Sequence, residues 1–72
     1  MTDSVALRNL ITSRGLKLKY VAERIGLSPY GLSLKINNLQ EFKTSEVVAL
    51  CELLDINDLA DKESIFFANK DD

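Results

Sequence analysis

A helix stop followed at once by a helix start, at residues 26 to 29, is the feature that most constrains the fold of this chain. Gly26 ends the periodic run KLKYVAERI, because glycine adopts the left-handed conformation after a helix at no steric cost. Ser28-Pro29 then begins a new helix, since the serine oxygen accepts from first-turn amides and proline has no amide to leave unpaired. Two helices separated by a three-residue corner predict a helix-turn-helix pair.

Apolar residues at helical spacing predict the other elements. Leu7, Leu10 and Ile11 precede Gly15 and indicate a first helix, and Thr44 or Ser45 is expected to cap a strongly apolar fourth helix. The fold class is therefore predicted as all-α, a compact bundle of four to five short helices. The predicted helices cover about residues 4–14, 18–25, 29–37 and 45–54, with one or two helical turns in DLADKESIFFA at 58–68.

The length of 72 residues fits a single domain, 1–72, with residues 69–72 expected to fray. A domain of this size buries only ~60% of the surface of its unfolded chain, so it supports one core. Leu32 and Ile36 of the third helix are expected in that core, and Cys51 is expected there as a small buried hydrophobe. Aromatic and aliphatic residues also assigned to the core are Phe42, Ile65, Phe66 and Phe67, of which the last three alternatively seal a dimer.

Charge is distributed unevenly along the chain. Residues 1–38 carry a net +4 and residues 39–72 a net −6, within an overall charge of −2. One interpretation is a dipole whose basic half meets phosphate or an acidic protein surface and whose acidic half repels DNA. The other is two solvated faces without a role in binding.

The composition excludes several classes of function. The chain has no histidine, no Gly-rich phosphate loop and no paired carboxylates suited to a cleft, so we expect no enzyme. A single cysteine without histidine predicts neither a disulfide nor a zinc site, and we expect no metal or cofactor. No apolar run approaches the ~20 residues of a membrane span. We therefore expect a cytoplasmic protein without membrane contact, either a monomer or a weak homodimer.

The segment VAERIGLSPYGLSLKINNLQEFKTSEVVALCELLDI resembles the Cro/CI-type (XRE-like) helix-turn-helix domains of phage and bacterial repressors. Val21-Ala22 stand where that family places a Leu-Ala pair, and the similarity covers about residues 5–60. One departure is Leu18, which replaces a glutamine that clasps a DNA phosphate in the family. The residues matching the family's turn glycine, recognition-helix cap, core aliphatic and post-helix asparagine are Gly26, Ser28, Leu32 and Asn37.

The chain has Leu-Ser-Leu-Lys in the third helix, Cys-Glu-Leu-Leu in the fourth and Ile-Phe-Phe near its end, and with these motifs it resembles one branch of this family, the short regulators of temperate phages of Gram-positive bacteria. The resemblance implies a lambda-repressor-like fold and an antirepressor that acts in the bacterial host at the lysis-lysogeny switch. It also implies a partner, the helix-turn-helix domain of a CI-type phage repressor, which occupies the N-terminal part of that protein.

The outer face of the third helix is the candidate binding surface. A DNA reader carries Arg, Lys, Asn or Gln here for bidentate contacts to bases, whereas Tyr30 and Leu34 suit a protein interface better. The alternative is that Tyr30 and Leu34 pack against the second helix or the loop at 38–43. The residues predicted to bind the partner are Ser28, Pro29, Tyr30, Ser33, Leu34 and Asn37.

A second set of polar residues is suited to phosphate or to an acidic surface. It supports the alternative function, a Cro-like repressor that binds operator DNA directly through the third helix, alone or together with the repressor. For Arg14, Lys17 and Lys19, the alternative is that they are simply solvated charges without a role in binding. The set consists of Arg14, Lys17, Lys19, Lys35, Asn38 and Lys43.

Overall fold

The fold is all-α, as predicted. A computed structural model describes residues 1–68 and contains five helices and no strand within that range; the tail predicted at 69–72 lies outside the described residues. No helix of the described part has the length and apolar character needed to cross a membrane. The first four helices match their predicted bounds to within one residue. The helices are α1 (Ser4–Ser13), α2 (Leu18–Ile25), α3 (Pro29–Ile36), α4 (Thr44–Leu54) and α5 (Leu59–Phe66).

Short polar side chains start three of the helices. Asp3 and Ser28 are the N-caps of α1 and α3, and each accepts a hydrogen bond of 3.0 Å from the amide three residues later. Asp58 caps α5 in the same way through the Ala60 amide at 3.0 Å. These bonds satisfy amides that have no partner within the helix. The predicted start of α3 at Ser28-Pro29 is therefore confirmed.

The start of α4 differs from the prediction. The N-cap residue is Lys43, and neither Thr44 nor Ser45 caps the helix. Glu46 accepts a hydrogen bond from the Lys43 amide at 2.9 Å, which closes the first turn from inside the helix. A carboxylate three residues into the helix therefore replaces the hydroxyl cap that the sequence favours.

One hydrophobic cluster joins all five helices. It includes Leu32 and Ile36 of α3, both fully buried, and the free thiol of Cys51, as predicted. Phe42 packs against this cluster from the loop before α4, with its ring edge-on to Phe66 at a centroid distance of 5.9 Å. The buried members are Leu7, Ile11, Val21, Ala22, Leu32, Ile36, Leu50, Cys51, Leu54, Ile56, Ile65 and Phe66.

Phe67 is the exception among the aromatic residues assigned to the core. Its side chain is 65% exposed, whereas Ile65 and Phe66 are buried. Successive helical residues are about 100° apart, so three consecutive side chains cannot all face one core. The assignment of Phe67 to the core is therefore wrong.

The corner between α2 and α3 forms as the sequence predicts. Gly26 ends α2 with a φ of 81°, a left-handed conformation that favours glycine. The Leu27 amide then donates to the Ala22 carbonyl at 2.9 Å, which closes the end of α2. Ala22 and Leu32 are both fully buried, so the two helices are packed into the same core and α3 has one side left facing solvent.

The N-terminal segment holds the end of α3. The Ser4 hydroxyl donates to the Ile36 carbonyl. Asn38 has a φ of 64°, and its side chain both accepts from the Thr2 amide and donates to the Thr2 carbonyl, each at 2.8 Å. The same segment is tied to α5, because the Asp3 amide donates to the Ile65 carbonyl at 2.7 Å. Residues 2–4 therefore fix the position of α3 relative to α1 and α5.

Replacing Asn38 tests this connection. We expect Asn38→Ala to lower the free energy of unfolding by about 3 kcal/mol, from two lost hydrogen bonds at about 1 kcal/mol each and about 1 kcal/mol for alanine at positive φ. Asn38→Gly loses the same bonds but accepts the φ, so it is expected to cost about 1 kcal/mol less. Urea denaturation of both variants measures the difference. Equal stability of both variants and the wild type would contradict this role for Asn38.

Candidate functional site

The outer side of α3 is exposed and carries no formal charge. Tyr30 is 74% exposed, Pro29 and Asn37 are exposed, and Ser33 and Leu34 are half-buried. Residues 30, 33 and 37 lie on one side of a helix because their spacing is three and four residues. We call this the α3 surface. It consists of the six predicted partner-binding residues, Ser28, Pro29, Tyr30, Ser33, Leu34 and Asn37.

Tyr30 is the most accessible large side chain of the α3 surface. Its exposure shows that it does not pack against α2 or the loop at 38–43, which removes that alternative for Tyr30. The alternative still stands for Leu34, because its side chain is half-buried. Its backbone carbonyl accepts hydrogen bonds from the amides of Leu39 and Gln40 at 2.8 and 3.3 Å. The apolar part of the α3 surface therefore consists of Tyr30 with Pro29 and Leu34, and hydroxyl and amide groups border it.

Lys35 is not available for phosphate, which corrects its assignment from the sequence. Its ammonium lies 2.6 and 2.8 Å from the two carboxylate oxygens of Glu46, and both residues are buried. Position 35 falls beside Ile36 and three residues after Leu32, so it lies on the inner side of α3. Since Lys35 is the single charged residue in Pro29–Ile36, α3 presents no charge to solvent.

The Glu46 carboxyl of the buried pair is held in its ionised form. Burial alone would raise the pKa of the Glu46 carboxyl, but hydrogen bonds from the Lys35 ammonium and the Lys43 amide, together with the charges of both lysines, lower it overall below its usual 4.5. Glu46 is therefore ionised at neutral pH. Its carboxylate connects the end of α3 with the beginning of α4.

Two further residues assigned to phosphate contact make hydrogen bonds that hold the fold. Both polar atoms of the Asn38 side chain are bonded to the backbone of Thr2. The Arg14 Nε donates to the Leu54 carbonyl at 2.9 Å, and Arg14 lines a groove together with Asp55 and Asp61. Arg14 therefore caps the carboxyl end of α4 beside two acids while it remains exposed, so its assignment to phosphate stays a prediction, and neither residue extends the α3 surface.

The remaining basic residues of that set are exposed. Lys17 is the N-cap residue of α2, Lys19 follows in its first turn, and Lys43 precedes α4. No side chain caps the start of α2, so its first amides point to solvent beside two ammonium groups. Such a helix start favours an anion, because the helix dipole and the free amides add to the positive charges.

Arg8 belongs to the site, although it is not among the residues that the sequence predicts for it. Its NH2 group donates to the Asn37 Oδ1 at 3.2 Å, across 29 positions of sequence. Ser4, one helical turn before Arg8, is bonded to the Ile36 carbonyl. In the sequence, Ser4 and Arg8 are four residues apart and so lie on the same side of α1. This spacing is the one sequence signal that could have indicated a polar contact between α1 and another helix.

No group suited to a metal ion occurs within residues 1–68. Cys51 is buried, and burial raises the pKa of its thiol above 9.0 more than nearby Lys62 lowers it, so the thiol stays protonated at neutral pH. Neither a protein-family model, nor a curated protein, nor a solved structure matches this chain.

Proposed function

We propose that the protein is an antirepressor of a phage lysis-lysogeny switch. Its α3 surface binds the N-terminal helix-turn-helix domain of a CI-type repressor, blocks or alters operator binding by that repressor, and so promotes the lytic cycle. The observation that carries this proposal is the uncharged outer side of α3 with Tyr30 exposed in it. The resemblance of the sequence to short phage regulators of the Cro/CI type supplies the partner.

The chemistry of the α3 surface favours protein over DNA. Reading a base pair in the major groove requires side chains such as Arg, Gln or Asn aimed at base edges, and each good bidentate contact contributes about 1–3 kcal/mol of discrimination. On the α3 surface Asn37 is the one group of this kind, and it is bonded to Arg8. Tyrosine, in contrast, is enriched at the centres of protein interfaces because its ring is large and rigid and ends in a hydroxyl.

The charge distribution supports the same partner. Residues 39–72 have a net charge of −6, which repels DNA and attracts a basic DNA-binding domain. α3 itself presents no charge that would repel such a domain, and Arg8 of α1 lies at one end of the α3 surface. A repressor domain covered in this way loses access to its operator.

The proposal predicts a stable complex. The protein mixed with the repressor's N-terminal domain is expected to elute as one earlier peak in size-exclusion chromatography at micromolar concentration. Light scattering of that peak gives the stoichiometry. Independent elution of the two proteins would refute the proposed partner.

A Cro-like repressor is the second candidate function. The observation in its favour is the uncapped start of α2 between Lys17 and Lys19, with Lys43 also exposed. This function predicts a sequence-specific gel shift of switch-region DNA by the protein alone. Retention that appears only at low salt and ignores the DNA sequence would exclude it, because phosphate contacts alone give salt-sensitive, non-specific binding.

A further inference from the structure

Arg8 places a cation at one end of the α3 surface. Its NH2 group bonds the Asn37 Oδ1 at 3.2 Å, and the Asn37 Nδ2 lies 3.5 Å from the Ser33 Oγ. The amide of Asn37 is thereby turned with its oxygen toward the guanidinium. α1 is held against this end of α3 by the bond from Ser4 to Ile36, so the position of Arg8 is set by the fold.

The charge of Arg8 is not neutralised within residues 1–68, where no carboxylate oxygen lies within 4 Å of its guanidinium. The bond to Asn37 occupies one of five N–H donors in a planar fork that matches a carboxylate. Lys35 is paired with Glu46, and Arg24 lies against the ring and hydroxyl of Tyr20. Arg14 also has one hydrogen bond, but it is bonded to the end of α4 and lies away from α3. Arg8 is therefore an oriented guanidinium with donors left over.

The spacing along α3 defines what a partner must offer. Tyr30 and Asn37 are seven residues apart on the same side of the helix, which corresponds to about 10 Å along its axis. The α3 surface thus has an aromatic ring at one end and, through Asn37, a guanidinium at the other. A matching surface has an apolar pocket for Tyr30 and an anionic group placed to meet Arg8 beside Asn37.

We propose that Arg8 binds a carboxylate of the protein partner and that this contact selects the partner. The inference rests on the proposed function, since it assigns a role within the complex with the repressor domain. A side-chain carboxylate on the repressor lies on the Asn37 side of the pocket that receives Tyr30. It pairs with Arg8 in a charge-assisted, bidentate contact, and Asn37 holds the guanidinium in place.

The experiment measures binding of the repressor's N-terminal domain by calorimetry at about 50 and about 500 mM salt, a range over which exposed charge pairs become screened. We expect Arg8→Gln to weaken binding about 10-fold at low salt and to reduce the salt dependence, and Arg8→Lys to retain part of the affinity. Arg8→Glu is expected to bind more weakly still. One Asp or Glu of the repressor domain, replaced by lysine, is then expected to restore binding of Arg8→Glu.

The variant Asn37→Ala distinguishes the effect of the Arg8 charge from the effect of its position beside Asn37. It keeps the guanidinium but removes its hydrogen bond, so it is expected to weaken binding less than Arg8→Gln and to leave the salt dependence in place. Thermal unfolding of each variant confirms that it is folded.

The outcomes separate this inference from the proposed function. If the wild type binds the repressor domain and Arg8→Gln binds equally well, the role of Arg8 is refuted while the proposed function stands. If Arg8→Gln weakens binding to switch-region DNA but not to the repressor, Arg8 is a phosphate contact and the inference is wrong. If the wild type forms no complex with the repressor, both are refuted.

Discussion

Replacing Lys35 by methionine is expected to lower the free energy of unfolding by about 3 kcal/mol, because it leaves the Glu46 carboxylate buried without its ion partner. For a chain of this size, whose total stability is on the order of 4–10 kcal/mol, the loss is large. The melting temperature is expected to fall by about 12–24 °C. Chemical denaturation followed by circular dichroism at neutral pH measures the change.

The double variant Lys35→Met/Glu46→Gln is the matched control. Glutamine leaves no charge behind and keeps an acceptor for the Lys43 amide, which Glu46 binds at 2.9 Å. We expect the double variant to be more stable than Lys35→Met alone, since removing both charges of a buried pair costs far less than removing one. A double variant less stable than the single one would show that the loss comes from packing.

Acid provides a second test of the same pair. The folded-state pKa of Glu46 lies below 4.5, so the stability contributed by the ion pair is present above pH 4.5 and is lost as the pH falls through the folded-state pKa. The difference in unfolding free energy between the wild type and Lys35→Met is therefore expected to shrink as the pH falls from neutral through that folded-state pKa. A difference that stays constant over this range would contradict an electrostatic origin.

Replacing Tyr30 by alanine is expected to weaken binding of the repressor's N-terminal domain about 30-fold or more, which corresponds to a loss of about 2 kcal/mol for an aromatic anchor. Because Tyr30 is 74% exposed in the free protein, the same change should alter the free energy of unfolding by less than about 0.5 kcal/mol. Calorimetry and denaturation of one preparation provide both values.

Leu59→Ala is the control for Tyr30→Ala. Leu59 is 69% exposed, on α5, so its replacement also removes a large apolar group from the surface. We expect it to leave binding unchanged, since it lies outside the α3 surface. Equal losses from Leu59→Ala and Tyr30→Ala would show that the binding energy does not come from the α3 surface in particular.

Local signals made most of the fold predictable. Gly15 and Gly26 end their helices through a positive φ, and Ser28 begins α3 by accepting a hydrogen bond with its side chain. The residues that begin and end helices therefore act on the backbone close to them. Leu32 and Ile36 are fully buried as their spacing indicates. Each of these features depends on neighbours within four residues, which is the range that sequence patterns describe well.

The roles of polar side chains were harder to predict, because they depend on contacts between distant parts of the chain. Asn38 binds Thr2 across 36 positions, Arg14 binds the end of α4 across 40, and Arg8 binds Asn37 across 29. In the sequence these residues are simply polar groups near a predicted surface. The fold removes Asn38 from the site, ties Arg14 to the end of α4 and adds Arg8 to the site.

The most direct test of the account is a gel shift in which the protein is titrated into a preformed complex of the CI-type repressor with its operator. The account predicts that the wild-type protein changes or abolishes the repressor-operator band at concentrations where it gives no specific shift by itself, and that Tyr30→Ala requires about 30-fold more protein for the same effect. An unchanged repressor-operator band together with a sequence-specific shift by the protein alone would contradict it and identify α3 as a reader of DNA.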